Sequence, residues 1–228
     1  MNYQKPLSTL LAATTLSLAA SSLTSVAEEA PSAKVLQKIT FGSCASQNKP
    51  QPIWDTIVAE KPDLFLFIGD NIYGDTKDMA VMRKKYQTLG AKPGYQRLLK
   101  TCPVLSTWDD HDYGQNDGGS DYPMRDQSTK EFLNFFNVPK DSPRRSRDGI
   151  YGAKIFGKKG QQVQVILLDT RYFRSSPMVK NTSPAKEKNA KNLVGWYLPH
   201  TDTTTTLLGA AQWKWLEKQL QQPADVRI

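Results

Sequence analysis

The sequence predicts an α/β domain whose chemistry collects at its strand ends. Three observations predict it. Short β-prone apolar runs alternate with segments of helical periodicity, the signature of strand–helix–strand units. Residues 63–68 (Asp-Leu-Phe-Leu-Phe-Ile) are nearly continuous apolar, as in a strand buried on both faces. And the β-prone runs hand over to polar clusters, where open α/β sheets bind ligands.

Taken in order, residues 39–43 form a first short strand after Lys38, and residues 53–59 a short helix. Residues 63–68 form the second strand, ended by Gly69. Met79, Met82, Tyr86 and Leu89 recur at three- and four-residue steps. That stripe reads as the core face of a helix rather than a thioether metal site. Residues 103–107 are a third strand, 130–136 a helix carrying Phe132, Leu133 and Phe136, and 163–168 a fourth strand. Residues 175–206 are polar and poorly periodic and read as a long excursion. Trp213, Leu216 and Leu220 mark an amphipathic helix after Gly209. Val226 and Ile228 have strand spacing, so the chain stops on the first residues of a strand, and it is expected to be the N-terminal part of a longer domain.

Composition narrows the function. With 39% hydrophobic and 23% charged residues, the 228-residue chain can bury one core. Two cysteines exclude a disulfide scaffold, and two histidines exclude a His-rich zinc centre. The only long apolar stretch is at the N-terminus, which excludes a polytopic membrane protein. There Lys5, the apolar residues 7–23 and Ser25-Val26-Ala27 form a Sec-type export signal with cleavage before Glu28; an N-terminal anchor helix is the alternative. No Arg-Arg pair precedes the apolar stretch, and no cysteine follows it to carry a lipid. The expected organisation is therefore a signal peptide at 1–27, a lead at 28–36 and one domain at 37–228, in an exported, secreted or periplasmic protein with no integral membrane association after cleavage.

Removing the leader takes Lys5 and no acidic residue, lowering the formal charge from +8 to +7. A basic exported protein suits phosphate esters or anionic polymers, and plain solubility explains the charge equally well. Lys140, Arg144, Arg145, Arg147, Lys154, Lys158 and Lys159 cluster, without the aromatic ladder a single-strand binder needs. No specific nucleic-acid readout is expected, and the sequence is silent on oligomeric state.

The strand ends read Gly42-Ser43-Cys44, Gly69-Asp70-Asn71-Ile72-Tyr73-Gly74-Asp75, Trp108-Asp109-Asp110-His111-Asp112-Tyr113-Gly114 and Asp169-Thr170-Arg171. If the strands lie side by side, Cys44, Asp70, Tyr73, Asp110, His111 and Arg171 converge. So many carboxylates need protons or cations to neutralise them. Divalent or trivalent metal ions are the simplest solution: carboxylate oxygen suits Ca²⁺, Mg²⁺ or Mn²⁺, while a thiolate and a phenolate shift one position toward iron. Two metals bridged by Asp70 would suit phosphoester hydrolysis by metal-activated hydroxide. Each residue also has a plain reading. Cys44 could be a small buried hydrophobe or pair with Cys102; Tyr73 could be packing; His111 could be a satisfied core histidine; Arg171 could pair with Asp169 rather than bind a phosphate oxygen. Residues 112–121 could be a solvated turn or a loop that helps hold a hard cation. Cys102 reads as structural and His200 as chemically idle. No Walker loop, nucleophile elbow or HExxH helix is present.

These motifs, with Leu208-Gly209, Gln212, Trp215-Leu216-Glu217 and Leu220, resemble the alkaline phosphatase D (PhoD-like) metallophosphatases over residues 37–228. The resemblance implies a calcineurin-like sandwich of two sheets flanked by helices, and phosphomonoesterase or phosphodiesterase activity on a phosphate ester substrate with iron and calcium as cofactors. It implies iron ligands at Cys44 and Tyr73 and a bridging ligand at Asp70. It places Asp110 where the wider superfamily has an asparagine ligand, and His111 where it has an outer-shell acid; Asn71 has no assignment. Arg171 remains the candidate for the substrate, and Asp70 and His111 are the candidate catalytic pair. Family members continue past this point with a Gly-Asp-x-His motif and carry twin-arginine signals, and this sequence has neither. A catalytically inactive metal-binding remnant, or a periplasmic binder of anionic polymer, is the alternative.

Overall fold

The computed structural model describes residues 31–176 and 200–228. The expected export signal at 1–27 and most of the excursion at 175–206 lie outside the described residues. Two three-stranded sheets make the frame. The first is parallel, with β1 (Ile39–Gly42), β2 (Leu64–Ile68) and β3 (Val104–Thr107) side by side in that order. The second pairs β4 (Gly152–Phe156) antiparallel to β5 (Val163–Leu167), and β5 parallel to β6 (Val226–Arg227). The fourth expected strand therefore lies not beside β3 but in the second sheet, because β4 turns tightly back onto it.

β2 shows how sequence builds the two layers. Its side chains alternate between faces. Phe65 and Phe67 enter the aromatic core under the helices with Trp54, Met82, Tyr86 and Tyr95. Leu64 and Leu66 enter a second core facing Phe156, Val165 and Leu167 of the other sheet. A near-continuous apolar run is thus one strand with a core on each side.

Helices α1 (Ile53–Ala59), α2 (Met79–Gly90), α3 (Pro93–Thr101) and α5 (Arg125–Phe135) cover the first sheet; α4 (Asp110–Tyr113) is a single turn at the end of β3. The α2 stripe is core, with Met82, Tyr86 and Leu89 buried. α3 and β4 were not expected. α3 is short and carries Gly94, whose missing Cβ makes room for Trp54, 2.7 Å from where one would sit. β4 contributes only partly buried side chains through its middle, so no alternation shows. α5 begins five residues earlier than expected. Its first turns bury Ser128, Thr129 and Glu131 rather than apolar residues, and Glu131 is held by the Arg83 guanidinium.

α6 (Gly209–Leu220) is present, but its buried face differs from the expected one. Trp213 and Leu220 are 56% and 51% exposed, while Gln212 and Gln219 are buried. The glutamines are there to hydrogen-bond. Gln212 accepts from the Asp169 N–H and donates to the Asp169 carbonyl, and Gln164 donates to the Gln219 backbone carbonyl at 3.0 Å and to its amide oxygen at 3.5 Å. The described ends of the excursion meet: Ser175 N–H donates to Thr206 O at 2.8 Å, and Thr206 N–H to Ser175 Oγ at 3.0 Å. Among the described residues no helix is long and apolar enough to cross a membrane.

The three arginines of the basic cluster are engaged within the fold. Arg144 is buried and donates to Ile150 O and Ser106 O. Arg145 caps carbonyls around the end of α5, and Arg147 lies over the rings of Tyr151 and Trp215. Of the seven basic residues on which, with the net charge, the anionic-polymer reading rests, Lys140, Lys154, Lys158 and Lys159 remain.

Candidate functional site

The carboxyl ends of β1, β2 and β3 carry three polar turns, and the backbone there is strained to present side chains. Cys44, Asp70 and Asp75 adopt left-handed φ values of 59°, 51° and 42°, a region non-glycine residues visit rarely and mainly at sites that use it. Gly69, at φ 116°, precedes Asp70; a Cβ there would sit 2.7 Å from Asp109 Cβ, so only glycine lets the second and third strand ends approach.

Two hydrogen bonds extend the β1–β2 ladder into the turns: Cys44 N–H to Gly69 O at 3.3 Å and Ala45 N–H to Asp70 O at 2.9 Å. They bring the Cys44 thiol to 3.6 Å from Asp70 Oδ2. The Tyr73 phenol neighbours the same thiol, and burial, then Cys44, pushes the phenol's pKa up to about 12. One ligand atom each from Asp70, Asp110 and His111 lie within 4.8 Å of one another. Cys44, Asp70, Tyr73, Asp110 and His111 therefore do converge.

Their electrostatics describe a cluster lacking positive charge. Burial, then the charge of Asp110, raises the Asp70 carboxyl above its usual range, despite an opposing pull from His111. Asp70 Oδ1 is enclosed and has no hydrogen-bond partner among the described residues. Burial works the same way on Asp110, but the Asp117 N–H at 2.7 Å, the nearby Arg171 charge and the His111 N–H at 2.9 Å outweigh it and hold its carboxyl low. An orphaned carboxylate oxygen between a second carboxylate, a thiol and an imidazole fits a metal cation, which satisfies an enclosed anion where no N–H reaches it.

His111 is oriented, not idle. Its Nδ1 lies 2.8 Å from both Asp75 oxygens, and its ring lies 4.4 Å from that of Tyr73. Burial disfavours the imidazolium, but Asp75, then Asp110 and Asp70, outweigh it, so the pKa is raised. The N–H groups of Gly74 and Asp75 both donate to the His111 carbonyl, tying the second turn to the third.

Arg171 arrives by an unexpected route. It follows β5 in the second sheet, and its partner is not the Asp169 carboxylate. That carboxylate is buried, accepting from Trp108 Nε1 and the N–H groups of Ile150, Arg171 and Tyr172. The Arg171 guanidinium instead grips Asp109, with Nε donating to Oδ1 at 2.6 Å. Thr107 Oγ1, donating to Leu168 O at 2.7 Å, joins the two sheets beside this pair.

The remaining readings sort themselves by burial. Asp112 is not a solvated turn residue: it is fully buried and accepts from the N–H groups of Asn71 and Asp109 and from the Asn71 amide. It buttresses the site, and Asn71 is its partner. Cys44 and Cys102 are both free thiols. They sit at opposite ends of the parallel sheet, one after β1 and the other before β3, a strand length apart and beyond bridging distance. Sequence reasoning missed the roles of Asp75, Asp109 and Gln47. Asp75 and Asp109 stood inside the quoted motifs but nothing distinguished them from their neighbours, and no spacing signal marks Gln47.

The sequence from residue 39 to 226 matches the family described as PhoD-like phosphatase. No curated protein matches the chain. A solved structure described as "Structure of PhoD" is similar in fold, with a TM-score of 0.63 over 87% of this chain at 20% identity. The chain spans 42% of the length of that structure. The two-sheet architecture is thus shared, and since the family match runs through all three strand-end turns and both sheets, the chain belongs to the PhoD-like phosphatases.

Proposed function

We propose that this protein is an exported, metal-dependent phosphoesterase that hydrolyses phosphate monoesters or diesters, its leader at 1–27 directing it to the periplasm or outside the cell. The observation that carries the reading is the Asp70 carboxylate: its Oδ1 is enclosed with no partner among the described residues, its Oδ2 lies 3.6 Å from the Cys44 thiol, and the group is within reach of Asp110 and His111. Cys44, Asp70, Tyr73 and Asp110 would hold the metal ions, with iron and calcium favoured by family resemblance and by the mixture of thiol, phenol and carboxylate. Bound there, such cations polarise a phosphoryl oxygen and make water a nucleophile at neutral pH.

The chain's own residues divide the remaining work. Arg171, pinned by Asp109, presents a positive charge beside Asp110 and binds a phosphate oxygen. His111, with Nδ1 held by Asp75, has its other ring nitrogen left to protonate the departing oxygen. Buried Asp112 and Asn71 keep the second and third turns in register, so that little reorganisation is needed during reaction.

Hydrolysis of p-nitrophenyl phosphate by the purified chain with added Fe³⁺ and Ca²⁺ tests this. Asp70→Asn is expected to lower turnover by at least about 10²–10³-fold. Turnover by Asp70→Asn close to that of the unaltered chain, or no turnover with any cation, would defeat the proposal.

A further inference from the structure

Gln47 has no role in the chemistry above, yet it is 1% exposed and lies three residues beyond Cys44. Its amide makes a reciprocal pair with the backbone of Tyr73: the Tyr73 N–H donates to Oε1 at 2.8 Å, and Nε2 donates to Tyr73 O at 3.3 Å. The two turns are thus zipped by three successive links. The first two are backbone hydrogen bonds, at Cys44–Gly69 and Ala45–Asp70. The third is a side chain standing in for backbone. Beyond the last link, the Tyr73 ring lies 4.4 Å from that of His111, which sets its phenol beside the Cys44 thiol.

We infer that Gln47 is a positioning residue for the metal site, acting through Tyr73 to hold the phenol against Cys44. This rests on the metal-dependent reading above. A buried amide with both ends satisfied by one residue's backbone has a single low-energy placement, so it fixes that residue in two directions at once. Outer groups that orient metal ligands typically change affinity by about 10–100-fold when removed.

Alkylation of Cys44 provides a test that needs no turnover. Cys44 is exposed and Cys102 buried, so iodoacetamide will report on Cys44. Co²⁺, which accepts thiolate and oxygen donors, serves as the probe, and the half-protecting concentration is measured on the full chain. Co²⁺ is expected to protect the unaltered chain. Gln47→Met keeps the volume but removes both hydrogen bonds, and should need about 10–100-fold more Co²⁺. Gln47→Glu keeps the acceptor for the 2.8 Å bond and should lose less. If Gln47 acts through the phenol, Gln47→Met should add little to the loss already caused by Tyr73→Phe. Unfolding midpoints in chelator separate a loss of fold from a loss of ligand placement, and Gln47→Glu carries the test should Gln47→Met not fold.

Protection of Gln47→Met at the same Co²⁺ concentration as the unaltered chain, or a loss additive with Tyr73→Phe, would overturn the role of Gln47 while leaving the metal reading standing. An unaltered chain whose Cys44 is never protected would remove both.

Discussion

Asp63 shows how one carboxylate sets local stability. It accepts from the N–H groups of Gln37 and Lys38 at 2.8 and 3.0 Å, fixing the approach to β1. Those backbone donors, first Gln37 and then Lys38, hold its pKa below the usual carboxylate value. A depressed folded-state pKa contributes stability above the unfolded value of about 4, lost as pH falls through the folded value. Asp63→Asn is expected to cost about 1 kcal/mol at pH 7 and to flatten the acid limb below about pH 4, as measured by denaturant unfolding across pH. Gly69 makes a harder demand. Gly69→Ala would combine a left-handed φ with a 2.7 Å approach to Asp109, and should cost about 2–5 kcal/mol in the same assay. At this scale the sequence displayed the candidate site residues but not their partners. Asp70, Asp110 and His111 stood out because they fall in the polar clusters where the β-prone runs end. Asp109 could not be told from Asp110, since adjacent carboxylates differ only in where the chain turns them.

Among the elements, α5 depends on a residue outside itself. Arg145 Nη2 donates to Leu133 O at 3.1 Å and Val138 O at 2.6 Å, and its Nη1 to Asn134 Oδ1 at 2.9 Å. One guanidinium thus ties the last turn of the helix to the chain that leaves it. Arg145→Ala should cost about 2–3 kcal/mol, read from the thermal midpoint, whereas Lys140→Ala in the same segment should lie within about 0.5 kcal/mol. Sequence reading placed Arg145 in a basic cluster open to an anionic partner or to plain solubility, because charge alone does not say whether a cation faces water or a carbonyl. β2 and α2 were legible because burial on two faces, or on one stripe, leaves an unmistakable apolar period. α6 was half legible. Its apolar residues predict a helix, but two glutamines take its buried face, since the Gln212 amide completes hydrogen bonds to Asp169 and the Gln219 amide oxygen accepts from Gln164 at 3.5 Å, which leucine could not do.

Across the whole molecule, the site joins two sheets that are remote in sequence. Resemblance anticipated the two-sheet sandwich; periodicity alone did not, because nothing in residues 163–168 says which strand they will pair with. The folded chain gathers Asp70, Asp110 and Cys44, while the unfolded chain scatters them, so a bound cation must add to stability. Ca²⁺ or Mn²⁺ at 100 times its dissociation constant should raise unfolding stability by about 2.7 kcal/mol, EDTA should reverse the rise, and Asp70→Asn should abolish it. Calorimetry with and without chelator checks all three. The Ser175–Thr206 clasp works on the same scale. Because these two residues already hold each other, whatever lies between them is grafted onto a closed neck. Closing the neck with a few glycines and serines in place of residues 177–199 should leave both sheets and the rim of strand-end turns as they are, which makes this neck the place to splice in a foreign segment or a reporter.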